Sequence, residues 1–578
     1  MKKLLKYLKK YSLEAALGPL FKLLEASFEL IVPLVVAAII DKGIRNSDSS
    51  YVLKMSLVLI LLAVVGYISS VTAQFFAAKA ASYFAAAVKK DLFKNIQGLS
   101  YEQIDSLGTN TLITRMTSDI NQVQQGVNLT LRLLLRSPFV VFGAMVMAFT
   151  IDFNQALIFL VTIIVLSIVV FGIMLWGIPR YKKVQELLDN VLGLTRENLS
   201  GVRVIRAFGL EKNETGNFRA KNEGLTKLQE FVGRVSALMN PITYVILNIA
   251  IIILLKTGAD KVYTGILTTG AVVALYNYMS QILVELVKLA NLIIQVTRSF
   301  ACGNRIQTML EETGSMTGGS VDAKSVSMKD DIVISFENVS LCYKGDSEDS
   351  LSEVTFSAKK GESIGIIGGT GSGKTTLVNL IPRLYDATGG SVKFKGRDVR
   401  DYTLESLRDV IGVVPQKAVL FKGTIRDNLR WGNANASDEE IWDAVHTAQA
   451  AEVVKEKKGQ LSAEITQSGR NLSGGQRQRL TIARALVKKP EVLILDDSSS
   501  ALDNMTDKNL RNAISKLSYK PVTFIVSQRA ASIRFCDKII VLDDGHVDGI
   551  GTHEELLMNS ATYREIFESQ FGKEAVNA

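Results

Sequence analysis

Nine consecutive residues, Gly368-Gly369-Thr370-Gly371-Ser372-Gly373-Lys374-Thr375-Thr376, have the composition needed to enclose a phosphate chain. Glycines let backbone N–H groups close on phosphate oxygens, Lys374 reaches the β- and γ-phosphates, and the Thr375 hydroxyl is a ligand for Mg²⁺. The pattern is a complete P-loop, Gly-x4-Gly-Lys-Thr. The apolar strand Ser363–Ile367 precedes it and an apolar helix from Leu377 follows, so the helix N-terminus adds a favourable dipole. A second element, Val492-Leu493-Ile494-Leu495-Asp496, reads as a buried strand whose terminal carboxylate holds Mg²⁺ through water. ATP and Mg²⁺ are therefore the expected cofactors.

These sites need a scaffold, and the 578-residue chain is too long to be one domain. Up to about Leu310 it carries long apolar runs; beyond, it reads as a soluble α/β protein. Five stretches free of charge approach the roughly 20 residues that cross a bilayer: Met55–Ala78, Ser137–Ile151, Phe153–Pro179, Val235–Leu255 and Val262–Val284. A sixth, near Leu17–Ile40, contains Lys22, Glu25 and Glu29. Six spans put both chain ends on one side. Asp41–Ser50, a turn at Asp152 and Lys256–Lys261 are short and are predicted outside. Lys79–Arg136 and Arg180–Arg234 are long, basic and helical in pattern, and are predicted inside. They are too long for ordinary loops. The helices are expected to run on into the cytoplasm and to turn near Thr117–Gln122 and Ala207–Glu214.

The net charge of +9 does not imply nucleic acid, because basic residues up to Arg305 cluster between apolar runs, as membrane topology requires. Cys302, Cys342 and Cys536 follow no metal-ligand spacing and read as reduced packing residues. The start, Met1–Lys10, lacks a cleavage site and reads as a basic amphipathic helix on the inner membrane face. Glu25 and Glu29 either pair with Lys22 or lie near the interface, or they line a substrate cavity, as Asn240, Asn248, Gln281, Glu285 and Asn291 could. Arg132 and Arg136 read as anchors for the inner end of the third span.

Between the two phosphate-site elements stands Asn471-Leu472-Ser473-Gly474-Gly475-Gln476, a string that other P-loop NTPases lack. Its small residues open a helix and offer N–H donors to a phosphate. With this string the chain resembles an ABC exporter subunit over nearly its whole length. The fold expected is multidomain: an all-α six-helix transmembrane domain (1–312), a linker (313–330) and a P-loop α/β nucleotide-binding domain (331–578).

The resemblance implies further roles. Tyr343 matches the aromatic that stacks on adenine, although an ordinary strand tyrosine would look the same. Gln416 matches the glutamine that contacts Mg²⁺ and senses the membrane domain, and Ser500–Asp503 the loop that crosses a dimer interface. The two helical turns would be coupling helices. Ser473, Gly474, Gly475 and Gln476 would complete the ATP site of a partner subunit, because each ATP in this family lies between the P-loop of one subunit and this string of the other.

Two departures bear on catalysis. Where the family has the glutamate that activates water, this chain has Asp497; where it has the switch histidine, Gln528 stands, and the three histidines His446, His546 and His553 lie elsewhere. Aspartate is one methylene short of the reach a general base needs, and glutamine does not titrate near neutrality. Gln467 replaces a glutamate common before the signature. The pattern resembles the degenerate-site subunit of bacterial heterodimeric multidrug exporters. A homodimer with two sluggish sites and a non-transporting ATP-gated regulator are the competing readings. The implied partners are a second half-transporter, the lipid bilayer of the inner membrane and a small amphipathic substrate.

Overall fold

A computed structural model describes residues 2–328, 331–344 and 346–572. The ends of the expected linker (329–330) and nucleotide-binding domain (573–578), and Met1 of the expected N-terminal helix, lie outside them. The chain forms two compact units: Met1–Gln97 with Thr109–Thr313, and Gly98–Gly108 with Gly314–Ala578.

The first unit is helical. Among the described residues, six helical spans are long and apolar enough to cross a membrane: Ser12–Ile44, Ser49–Gln97, Thr109–Ile151, Phe153–Ser200, Glu211–Tyr263 and Thr269–Glu311. The second runs 49 residues, about 70 Å at 1.5 Å per residue, against a hydrocarbon core of about 30 Å. Ile60, Leu61 and Ile68 on this helix point outward and are exposed, the reverse of a water-soluble helix. Inward faces carry small residues instead: Ala73, Ala77, Ala80 and Ala81 are buried, which lets backbones approach closely.

Three details differ from the sequence reading. Lys256–Lys261 is not a loop; the fifth helix continues through it to Tyr263. Its end is set by Gly265 in the left-handed region, φ 76°, and the next helix starts at Thr268, whose hydroxyl accepts from the N–H of Ala271. Thr117–Gln122 is helical rather than a turn. Asp119 there is buried, ion-paired to Arg115 (2.7 Å) and Arg305 (2.6 Å), so its polar character marks an inter-helix contact. The chain turns earlier, at the short helix Tyr101–Leu107, which Ser100 and Gln103 cap reciprocally and Gly108 terminates at φ 74°. Ser100 followed by Gln103 three residues on is a capping-box signal that the sequence itself carries. The second turn, Gly201–Leu210 around the short helix Val202–Ala207, overlaps the expected position.

Arg136, read as a peripheral anchor, is instead buried among three helices. It bonds Glu29 and Glu285 at 2.6 Å each, and Ser137 and Lys288 also donate to Glu285, at 2.9 Å each. Glu25 pairs with Lys22 at 2.5 Å. Asn240, Asn248 and Asn291 are exposed. Near the amino terminus, Leu4 is buried and the Tyr7 hydroxyl donates to Asp91 at 2.7 Å.

Among its described residues the second unit has twelve strands: β1 (Ile332–Leu341), β2 (Leu351–Lys359), β3 (Ser363–Gly368), β4 (Gly389–Phe394), β5 (Arg397–Asp398), β6 (Ile411–Val414), β7 (Gly423–Thr424), β8 (Glu464–Ile465), β9 (Val492–Asp496), β10 (Val522–Val526), β11 (Lys538–Asp543) and β12 (His546–Gly551). A four-stranded antiparallel sheet runs β2-β1-β4-β5, a six-stranded sheet runs β12-β11-β3-β10-β9-β6, and β7 pairs with β8. In the larger sheet β11, β3, β10, β9 and β6 are parallel, and β12 closes one edge antiparallel. Alternate residues serve opposite cores: Ile364, Ile366, Val492, Ile494 and Phe524 pack on one face, Ile367, Leu493, Leu495 and Ile525 on the other. Burial on both faces explains why these strands read as unbroken apolar runs.

Candidate ATP site

The register of the parallel sheet assembles the site. Ile366 of β3 lies opposite Val526 of β10, and Val526 opposite Asp496 of β9. The carboxyl ends of three strands thus deliver the P-loop, Asp496-Asp497 and Ser527-Gln528 to one edge, where α/β sheets bind ligands. The cavity there, about 240 Å³, is lined by Thr370, Gly371, Gly373, Lys374, Thr375, Thr376, Gln416, Asp496, Asp497, Val526, Ser527 and Gln528.

The loop adopts its shape because glycine permits it. Gly371 and Gly373 sit at φ 87° and 88°, and a Cβ at Gly373 would stand 2.6 Å from the Ser350 carbonyl oxygen. Gly368, Gly369 and Ser372 form the back of the loop. Lys374 folds against them, donating to the carbonyls of Gly368 (3.0 Å) and Gly369 and to the Ser372 hydroxyl (3.2 Å). Burial holds its ammonium below the ordinary lysine range, while Asp496 and Asp497 act the other way.

The Thr375 hydroxyl lies 3.1 Å from each oxygen of Asp496. Burial raises the Asp496 carboxyl above the usual aspartate range; Thr375 opposes this, neighbouring Asp497 adds to it and Lys374 opposes it. This cluster of hard oxygen donors beside a phosphate loop fits Mg²⁺. Asp497 takes a left-handed backbone, φ 44°, and its N–H donates to the Val526 carbonyl at 3.0 Å. The Gln416 amide stands 3.5 Å from the Asp497 carboxylate. Gln528 lines the cavity with its neighbour Ser527, a buried hydroxyl 3.5 Å from that of Ser499. In the sequence Ser499 is the middle of three consecutive serines, and no spacing sets it apart from its neighbours.

Among the described residues the lining excludes Tyr343 and the signature string. The Tyr343 hydroxyl donates to Thr376 at 3.1 Å, and its ring meets Tyr385 edge-on at 5.2 Å. Tyr385 in turn donates to Asp105 of the short helix Tyr101–Leu107 at 2.6 Å. Ser473 caps the helix Gly474–Val487, its hydroxyl accepting from the N–H of Gln476 while the Gln476 side chain accepts from the N–H of Ser473. Ser473 and Gly474 are exposed, and a Cβ at Gly474 would meet nothing within 4 Å, whereas one at Gly475 would stand 2.9 Å from the Ala501 carbonyl. Asp503 caps the helix Asn504–Ser515, accepting from Met505 and Thr506.

Comparison with known proteins decides the family. Residues 16–286 match the ABC transporter transmembrane region and residues 351–500 match the ABC transporter domain. The chain is an ABC transporter. Its relatives in the family include YfiB of Bacillus subtilis, described as an uncharacterized ABC transporter ATP-binding protein, which is 37% identical with 99% of each chain covered. YgaD of the same organism, described as a putative multidrug export ATP-binding/permease protein, is 30% identical with 99% of each chain covered. A solved bacterial Atm1-family ABC exporter with ATP bound shares the fold at a TM-score of 0.78, with 22% identity and 98% of each chain covered. This ABC transporter is thus a multi-pass membrane half fused to an ATPase domain, and ATP is the nucleotide its P-loop serves.

Proposed function

We propose that this chain is one half of a heterodimeric ATP-driven exporter, holding Mg·ATP in a slow site while Ser473–Gln476 complete the hydrolytic site of a different partner subunit. The carrying observation is the mixed character of one cavity. Lys374, Thr375 and Asp496 line it together with Asp497 and Gln528; in our reading the first three hold phosphate and Mg²⁺, while Asp497 and Gln528 stand where the family resemblance puts the water-activating glutamate and the switch histidine. One methylene of lost reach at a general base is a displacement of about 1 Å, and misplacements of that size cost about a hundredfold in rate. The P-loop site is thereby kept for binding. Exposure of Ser473 and Gly474 away from that cavity suits a role in the partner's site. The N-terminus and nucleotide-binding domain are cytoplasmic and the membrane is the cell's inner membrane, a reading supported by basic Lys79–Arg136 and Arg180–Arg234. The description of YgaD as a multidrug export protein and the apolar spans support a small amphipathic cargo.

The test is to restore the pair. In the complex purified with its native partner, with the partner's own P-loop lysine replaced, Asp497→Glu with Gln528→His should raise hydrolysis at this chain's site. The wild-type chain should bind Mg·ATP and turn it over slowly. Brisk turnover by the wild-type chain alone, lost on Lys374→Ala, would refute the slow-site reading.

A further inference from the structure

A second cavity, about 650 Å³, opens at the other end of the same sheet. Its walls include Ser363, the first residue of β3, and Thr523, near the start of β10. The ATP cavity lies at the carboxyl ends of those strands, six residues of β3 away, or about 20 Å. No part of the P-loop reaches it.

Four cations converge on this cavity, Lys360, Lys508, Arg511 and Lys520, against one lining carboxylate, Asp537. That carboxylate is engaged: it accepts from the Ser363 N–H (2.8 Å) and hydroxyl (2.7 Å). Glu362, beside the turn, is held by Lys538 at 3.0 Å and accepts from the Lys359 N–H at 2.7 Å. Arg511 Nε lies 3.2 Å from Asp507 in an ion pair, and its guanidinium sits 5.4 Å from the Phe535 ring. Among the described residues, the ammonium groups of Lys360, Lys508 and Lys520 make no hydrogen bond or ion pair.

Lysines alone are ordinarily a solvated surface. Lys360, Lys508 and Lys520 are exposed, but two turns set Lys360 and Lys520 side by side at one concavity, with Lys508 on the helix Asn504–Ser515 beside them. Gly361 sits at φ 78° and its missing Cβ would touch the Lys520 side chain at 3.4 Å, while Lys520 itself takes a left-handed backbone, φ 41°. That backbone is uncommon for a residue with a Cβ. The concavity has the volume of small-molecule sites, about 300–1,000 Å³. Cys536 in its wall offers no nucleophile, since burial pushes its thiol up to about 12.

We propose that this cavity binds a small, multiply phosphorylated anion, separately from the ATP at the P-loop. Several ammonium point charges around a concave wall that holds a single carboxylate suit phosphate oxygens. The site rests on the nucleotide-binding domain alone and holds whether the transporter is a heterodimer or not.

Inorganic pyrophosphate is the probe, titrated calorimetrically into the full-length chain already saturated with a non-hydrolysable ATP analogue. Saturable binding is expected, weakening as salt rises. Lys508→Glu with Lys520→Glu should reduce affinity about tenfold or more, while Lys508→Arg with Lys520→Arg retains it. ATP-analogue binding should be unchanged in both, which also reports that they fold. Lys374→Ala should leave pyrophosphate binding intact. Absence of binding, insensitivity to the charge reversal, or loss in Lys374→Ala would overturn the proposal. Binding of phosphatidylserine vesicles without binding of pyrophosphate would overturn it in favour of a lipid-facing surface.

Discussion

The hydroxyl of Thr375 lies 3.1 Å from both carboxylate oxygens of Asp496, although 121 residues separate them in the chain. The contact joins the P-loop to the tip of β9 and forms the oxygen cluster that our reading gives to Mg²⁺. It also places a buried carboxylate where folding alone does not favour one. Burial raises Asp496 above the usual aspartate range, so ionising it costs more in the folded domain than in the unfolded chain.

For an acid raised in this way, the stabilising contribution is present below the ordinary aspartate range and is lost as pH rises through the folded value. At neutral pH the ionised group therefore weakens the nucleotide-free domain. Asp496→Asn, which still accepts from Thr375, should raise the melting temperature without nucleotide and abolish the further rise produced by Mg·ATP. Thermal scans with and without Mg·ATP check both halves. A lower melting temperature without nucleotide, or an undiminished response to Mg·ATP, would contradict the role given to Asp496.

Gly474→Asp tests the assignment of the signature. The open space around a Cβ there means that the fold accepts the side chain, so a functional loss reports on the ligand side. In the reconstituted pair it should nearly abolish hydrolysis, since its carboxylate would face the phosphates of the partner's ATP. Lys374→Ala should only partly reduce hydrolysis. If Lys374→Ala is the more damaging in steady-state ATPase assays, this chain carries the working site.

Topology is tested by single cysteines at two exposed positions, Ser49 and Asn213. In intact cells an impermeant thiol reagent should label Ser49→Cys and spare Asn213→Cys. The reverse labelling would invert the orientation.

Arg136→Met should destabilise the membrane unit by about 3–5 kcal/mol, because it leaves the buried Glu285 short of its principal partner. Arg136→Lys should recover part of this, since one ammonium cannot fork between Glu29 and Glu285. The exposed pair Lys183–Glu186 is the control, where Lys183→Met should cost under about 1 kcal/mol. Denaturation of the detergent-solubilised chain measures all three, and equal effects at Arg136 and Lys183 would refute the buried network.

What the amino-acid order determined by itself is the chemistry that local spacing can encode. Gly371 and Gly373 make the left-handed turns of the P-loop possible because they lack a Cβ, whatever surrounds them. Apolar runs longer than a bilayer is thick specify membrane helices by composition alone. On our reading Asp497 and Gln528 mark a slow site, and that reading comes from the sequence because reach and titration belong to residue type. Tertiary structure decided which distant groups meet. Asp119 read as part of a turn, yet Arg305 claims it from 186 residues away. Arg136 read as an anchor until Glu285 from the sixth span met it. The cavity around Lys508 and Lys520 exists only because the turns beside β3 and β10 pack together. Partners and burial depend on which helix and strand faces come into contact, and a side chain's identity fixes what it can bond, not what it will find.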